Sequence, residues 1–203
     1  MQTASEKATN LLGANCITPH MVESSIGLPY EEECLHRLES DILPDAKLMR
    51  MKASNYMLIP GPPAALSLSD MYAMNPDWFR TSRDPWFANE DFYTEPAAHC
   101  KWLALGQETL SKSYGKSFMR QKELLLRDEM VPKVAEVVWA MVVLNEVLGV
   151  RFLNRTQVRT FSRAKGDQHV DCGNTALGVT IRAYLGERGL SNIGMVPKLR
   201  LAA

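Results

Sequence analysis

What the chain most lacks is a catalytic signature. It has no Gly-rich phosphate loop, no G-x-S-x-G elbow and no H-E-x-x-H pair, so the common nucleotide-hydrolase, serine-hydrolase and zinc-protease readings have no support. It has no C-x-x-C either: Cys16, Cys34, Cys100 and Cys172 are widely separated. The first residues are polar and show no apolar signal region. On that basis the cysteines are expected to be free thiols in a reducing cytoplasm. There is no internal repeat and no low-complexity tract. Net charge is also missing, with 23 Lys and Arg against 23 Asp and Glu. Overall neutrality is unusual for a dedicated nucleic-acid binder.

The neutrality hides an asymmetry. Residues 1–98 hold 7 basic and 14 acidic side chains; residues 99–203 hold 16 and 9. Either the halves pack together and neutralise each other, or the second half offers a basic surface to an acidic partner.

Only one long apolar run is present, from Pro132 to Gly149. Its valines suit a strand, but its length suits a helix. Pro132 fits a first helical position and Gly149 a left-handed stop. Lys133, Glu136 and Asn145 fall outside a broad apolar face, as in a helix buried on most sides. At ~1.5 Å per residue it reaches ~24 Å, short of a bilayer core. The run therefore reads as the central core helix, and no membrane association is expected.

Before it, residues 1–15 read as a flexible arm or a short helix around Ser5 to Leu12. Thr18 with Pro19 opens a helix that Gly27 stops, and Tyr30 to Ile42 forms a second, with Leu35, Leu38 and Ile42 facing the core. This pair resembles a helix-turn-helix, but Glu31, Glu32 and Glu33 would face phosphates. Asp45 reads as the cap of a third helix over Lys47 to Ser54, Tyr56 to Ile59 as a buried strand, and Ser67 with Asp70 as a capping box. Lys101 to Leu110 either continues a helix from Glu95 or holds a strand through Trp102 to Leu105, and the strand is the preferred reading. Ser117 caps a helix to about Asp128, with Phe118, Gln121, Leu124 and Leu125 on one face. After Gly149, strands are expected at Val158 to Ser162, His169 to Cys172 and Val179 to Leu185, with Met195 to Leu201 closing an antiparallel meander. The predicted fold class is α+β: one domain over 16–203, helical over 16–149 and β-rich over 150–203.

The segments Tyr56-Met57-Leu58-Ile59-Pro60-Gly61-Pro62-Pro63, Trp86-Phe87-Ala88-Asn89-Glu90, Val131-Pro132 with Ala135 to Ala140, and Val158-Arg159-Thr160 together are similar to a family of uncharacterised bacterial proteins. Gly166, Val170 to Gly173, Gly178-Val179 and Ile193-Gly194 extend the resemblance, which covers most of the chain from about residue 17. It implies a bacterial cytoplasmic protein and no particular activity. The family pattern has an Asp before the hairpin glycine and more Asp in the sheet. Lys165, Asn174-Thr175-Ala176 and Glu187-Arg188 stand there instead, which leaves an acidic metal cluster unsupported.

Three readings of function follow. The first is a non-catalytic binding or adaptor protein acting through a protein partner, with Trp78, Trp86, Phe87, Arg159 and Arg163 as contacts. The crowd of rings between residues 78 and 93 serves either as a recognition surface or as an anchor for a long loop. The second is nucleic-acid binding through an arginine-rich sheet face carrying Arg159 and Arg163. The third is an enzyme using His169, Asp171 or Cys172. His169-x-x-Cys172 is the one histidine–cysteine spacing near that of a zinc site, but residues three apart in a strand face opposite ways. Asp84 and Asp91 form a possible carboxylate pair whose plainer role is surface charge. No cofactor and no metal is expected.

Overall fold

The apolar run forms a helix with no wet face over most of its length. The computed structural model describes residues 3–41, 43–81 and 85–201. In it α7, Val134–Leu148, is buried at every residue from Val134 to Leu144, and Gly149 ends it in the left-handed conformation at φ 65°. The helix starts two residues later than the proline rule suggests, at Val134: Pro132 precedes the cap residue, Lys133. Such a helix must be covered on all sides. The covers are α2 (Pro19–Ile26), α5 (Leu68–Met74), β4 (Gln157–Ala164) and β5 (Gln168–Thr175). Trp139, fully buried, donates its indole N–H to the Pro60 carbonyl at 2.9 Å, tying α7 to β1 (Tyr56–Pro60).

Glu136 departs from expectation. It is only 2% exposed, and Lys198 Nζ meets it at 2.6 Å. Its other oxygen accepts the Lys133 N–H, so the acid closes the first turn of the helix from inside the fold.

The remaining helices are set by local chemistry. Thr18 Oγ1 accepts the Met21 N–H, and Gly27 stops α2 at φ 77°. Ser67 and Asp70 form the reciprocal capping box at the start of α5. Residues 4–12 form α1, Ala4–Leu12, with Ala8 and Leu12 in the core. In α3, Glu32–Ser40, the core side is Cys34 and Leu38; Leu35 is 39% exposed, because the four-residue spacing selects the other pair. Ile42 lies outside the described residues. α4 spans Asp45–Ala53. α6, Phe118–Lys122, ends well short of Asp128; the Leu126 N–H donates to Glu129 Oε2, turning the chain into β3, Glu129–Met130.

Two four-stranded sheets complete the α+β fold. The first has the order β1-β2-β8-β3, with β2 at Trp102–Gly106 and β8 at Lys198–Leu199. The second has the order β6-β5-β4-β7, with β6 at Gly178–Leu185 and β7 at Ile193–Gly194. The chain end therefore does not close the meander. β7 lies parallel to β4, and β8 crosses to the first sheet, where it pairs with β2 and β3. Pro197 has no N–H for a ladder, but its carbonyl accepts the Gly106 N–H at 2.9 Å and guides the crossing.

The thiol expectation is corrected. Cys34 and Cys100 form a disulfide with Cα atoms 5.0 Å apart, while Cys16 and Cys172 are free and buried. A separation of 66 residues hides this proximity in the sequence. Closing so long a loop restricts the unfolded chain, so Cys34→Ser should cost about 2–4 kcal/mol in non-reducing urea titrations; no loss would show the bridge to be idle. Trp139→Ala should cost about 3–5 kcal/mol in the same assay, through a cavity and an orphaned Pro60 carbonyl.

Candidate functional site

Strand alternation and hairpin register build a polar face on the second sheet. Gly166 and Asp167, at φ 72° and 59°, turn β4 into β5. The ladder then sets Arg159 opposite Asp171 and Asp171 opposite Arg182. One row away Gln157 lies across from Gly173, and Gly173 from Thr180; on the other side Arg163 lies across from His169, and His169 from Tyr184. A bulge between Arg159 and Arg163 sets four steps of β4 against two of β5, which keeps both arginines on this face.

The face is roofed by α6, its preceding turn and the loop after β6. Arg159 is 1% exposed. Its Nη2 donates to the Arg188 carbonyl at 2.9 Å, and its Nη1 to the Lys116 carbonyl and Gln121 Oε1 at 3.4 and 3.3 Å. Gln121 is held in turn by the Ser113 and Ile193 carbonyls. Phe118 stacks on His169 with ring centres 3.6 Å apart. Gly186 lies against the other edge of that imidazole: a Cβ there would come within 2.7 Å of Cδ2.

Inside this roof four polar atoms have no hydrogen-bond partner among the described residues: Asp171 Oδ1 and Oδ2, Arg159 Nε and Gln157 Oε1. Asp171 is fully buried. Burial drives its carboxyl pKa up to about 7, against the opposing pull of Arg182 and Arg159. Burial also lowers the pKa of Arg159. His169 is pushed down to about 4 by burial, then by the positive charge of Arg163. It is thus a neutral ring at physiological pH, and Nδ1 lies 3.4 Å from the Thr160 carbonyl, which favours the tautomer with hydrogen on Nδ1. His169 floors a cleft of about 450 Å³ bordered by Arg163, Asp167 and Glu187. The arrangement offers a neutral hydrogen-bonding ring at the cleft and a sealed acid behind it.

No family model, curated protein or solved structure matches the chain.

The five expected contact residues do not share one surface. Phe87 is 2% exposed, packed with Trp86, Phe92 and Tyr93. Trp86 is half exposed but donates its N–H to the Ile181 carbonyl, covering part of the β6 edge. Trp78 donates to Glu146 and borders a separate cleft of about 220 Å³. The aromatic stretch thus anchors its own loop, with Phe79, Phe87 and Phe92 inside. Arg163 is exposed and paired with Asp167, but Arg159 is interior, so the two do not present one solvent face.

His169 and Cys172 do not converge. Odd-numbered β5 residues face the roof with Asp171, and Cys172 joins the core cluster, where burial raises its pKa well above the ordinary thiol value. No group of three or more His, Cys, Asp or Glu suited to a metal occurs among the described residues. Asp84 lies outside them. Sequence reasoning missed Gln157, Gln121, Thr180 and Arg182. Alternation along β4 and β6 could have placed Gln157, Thr180 and Arg182 on the same face; helical spacing set Gln121 beside Phe118 and Leu125, but nothing local marks its bond to Arg159, 38 residues away.

The titrations have opposite signs. Asp171 in the fold keeps a proton that the unfolded chain releases between about 4 and about 7, so its contribution to stability falls as pH rises through that window. His169 in the fold refuses a proton that the unfolded chain binds between about 4 and 6.5, so its contribution rises with pH. Subtracting wild type from Asp171→Asn isolates the acid. In urea titrations the difference should move in the variant's favour by up to ~1.4 kcal/mol per pH unit from about pH 4 to 7, then level off. A difference independent of pH would show that Asp171 titrates normally.

Proposed function

We propose that the protein is a non-catalytic binding protein that acts through an acidic protein partner. The observation that carries this reading is the state of the basic second half. Were the halves to neutralise each other, acids of residues 1–98 would pair with bases of residues 99–203. Among the described residues one ion pair does so, Lys133 with Glu95 at 2.9 Å. Lys198, Arg120 and Arg163 pair with acids of their own half, and Arg50 draws Asp128 and Glu129 away from them. Arg159 apart, basic side chains of the second half such as Lys101, Lys112, Arg151, Arg155 and Arg200 face solvent, where they steer association with an acidic surface.

Nucleic acid is the weaker reading, because Arg159 is spent on three interior acceptors and does not reach a phosphate. An enzymatic reading keeps one supporting observation, the unpartnered Asp171 behind His169. Among the described residues no helix is long and apolar enough to cross a membrane. A cytoplasmic location belongs to the proposal, and the Cys34–Cys100 bridge tells against it, because reducing compartments seldom keep disulfides.

The test is capture on immobilised protein with salt elution. An acidic protein should be retained at about 50 mM salt and released by about 500 mM, where surface charges are screened. Retention of nucleic acid instead, or of nothing that salt releases, would overturn the reading.

A further inference from the structure

We propose that a groove on the first sheet, between β2, β8 and the end of α3, is the docking site for an extended acidic segment of that partner. The inference rests on the proposed function and gives it a location.

β8 is only two residues long. It pairs with β2 at Ala104 and Leu105 and no further. At Arg200 the chain turns its N–H to the Asp128 carbonyl, on the β3 side. β2 continues to Trp102 and Leu103 without β8 beside it, and a groove of about 600 Å³ opens there. That size is typical of a ligand site. The side chains of Trp102 and Leu103 are buried, at 5% and 1% exposure. Lys101 turns its carbonyl to Gly61 on the β1 side and Gly106 its N–H to Pro197 on the β8 side, so alternation leaves the Trp102 backbone facing the groove and commits that of Leu103 to β1. A strand edge of this kind suits an extended peptide.

The rim fixes the charge of the occupant. Arg37, Lys101, Lys198 and Arg200 border the groove against a single acid, Asp41. Lys198 is committed to Glu136 and Arg37 to the exposed Glu33. Lys101 and Arg200 are exposed and have no side-chain partner among the described residues. Nearby, Lys47 Nζ donates to the Leu201 carbonyl and adds to the positive field. The Cys34–Cys100 disulfide joins the strip carrying Arg37 to the strip carrying Lys101, which holds these two cations on fixed walls. Ala98, Met130 and Leu201, all half-buried, line the groove between the cations, so an extended segment alternating carboxylates with apolar side chains meets both.

The probe is a short fluorescein-labelled peptide of alternating Glu and Leu, with its Lys-Leu counterpart as control, read by anisotropy on the full chain. The acidic peptide should bind and the basic one should not. Lys101→Glu with Arg200→Glu should weaken it about tenfold or more, whereas the exposed Lys112→Glu should leave it unchanged. Both variants change exposed side chains, and circular dichroism checks their fold. Bound peptide should slow hydrogen exchange at the Trp102 amide. Failure of wild type to bind, an equal effect of Lys112→Glu, or no protection at Trp102 would overturn the site. Complete displacement by decanoate with the same protection would reassign the groove to a small carboxylate and overturn the peptide. If the double variant loses the peptide but still captures the salt-released protein, the groove is wrong and the proposed function stands. If wild type binds the peptide yet captures no acidic protein, the function is wrong and the groove stands.

Discussion

A helix that cannot meet water anywhere along its first three turns dictates most of this architecture. From Val134 to Leu144 no residue of α7 reaches solvent. Burying one such side chain is worth about 1.5–3 kcal/mol, so leaving one side open would forfeit several at once. Helices cover part of it and the second sheet covers the rest, while the Trp139 indole reaches across to β1. Once one sheet face is committed to α7, the other must be polar or find a roof of its own. Here it is polar and also roofed. β4 as far as Thr160, and β5 from His169 to Asn174, are consequently buried on both faces, a condition more usual for parallel sheets than for a meander.

The roof creates an electrostatic problem and solves half of it. A buried guanidinium is tolerable only when its donors are met. Two carbonyls and the Gln121 amide meet Arg159, and they come from segments that have little other structure. Arg159 thereby organises its own cover. Asp171 is less well served: two arginines flank it in the ladder, yet neither carboxylate oxygen is bonded. Desolvation outweighs their attraction, and the acid holds its proton into the neutral range. The same cover presses Phe118 onto His169 and keeps that ring neutral. Charge is thus minimised inside the second sheet, while unpaired cations collect outside the first, at Lys101 and Arg200.

Legibility in the sequence follows the range of the interaction. Thr18 with Pro19, Ser67 with Asp70 and the stop at Gly149 were readable because each cap is closed within a few residues. The strands after residue 150 were readable from alternation and hairpin glycines. The depth of Arg159 was not, because its burial depends on carbonyls 43 and 29 residues away and on Gln121, 38 residues away. Its alternation with Arg163 suggested a solvent face, since an arginine in a strand is usually wet. The Cys34–Cys100 bridge and the passage of β8 into the first sheet are long-range events with no local signature. The groove beside Lys101 depends on that passage, and so no pattern around Lys101 announces it.

The central claim is that the protein works by holding another polypeptide. Native mass spectrometry of the chain purified from its own cells, at low salt and without reductant, tests it most directly. The account predicts a species heavier than the 22.8 kDa chain by the mass of an acidic protein, separating on addition of salt. A bare chain, or a chain carrying only a metal or small molecule that a chelator or denaturation removes, would contradict it and return attention to the His169 cleft.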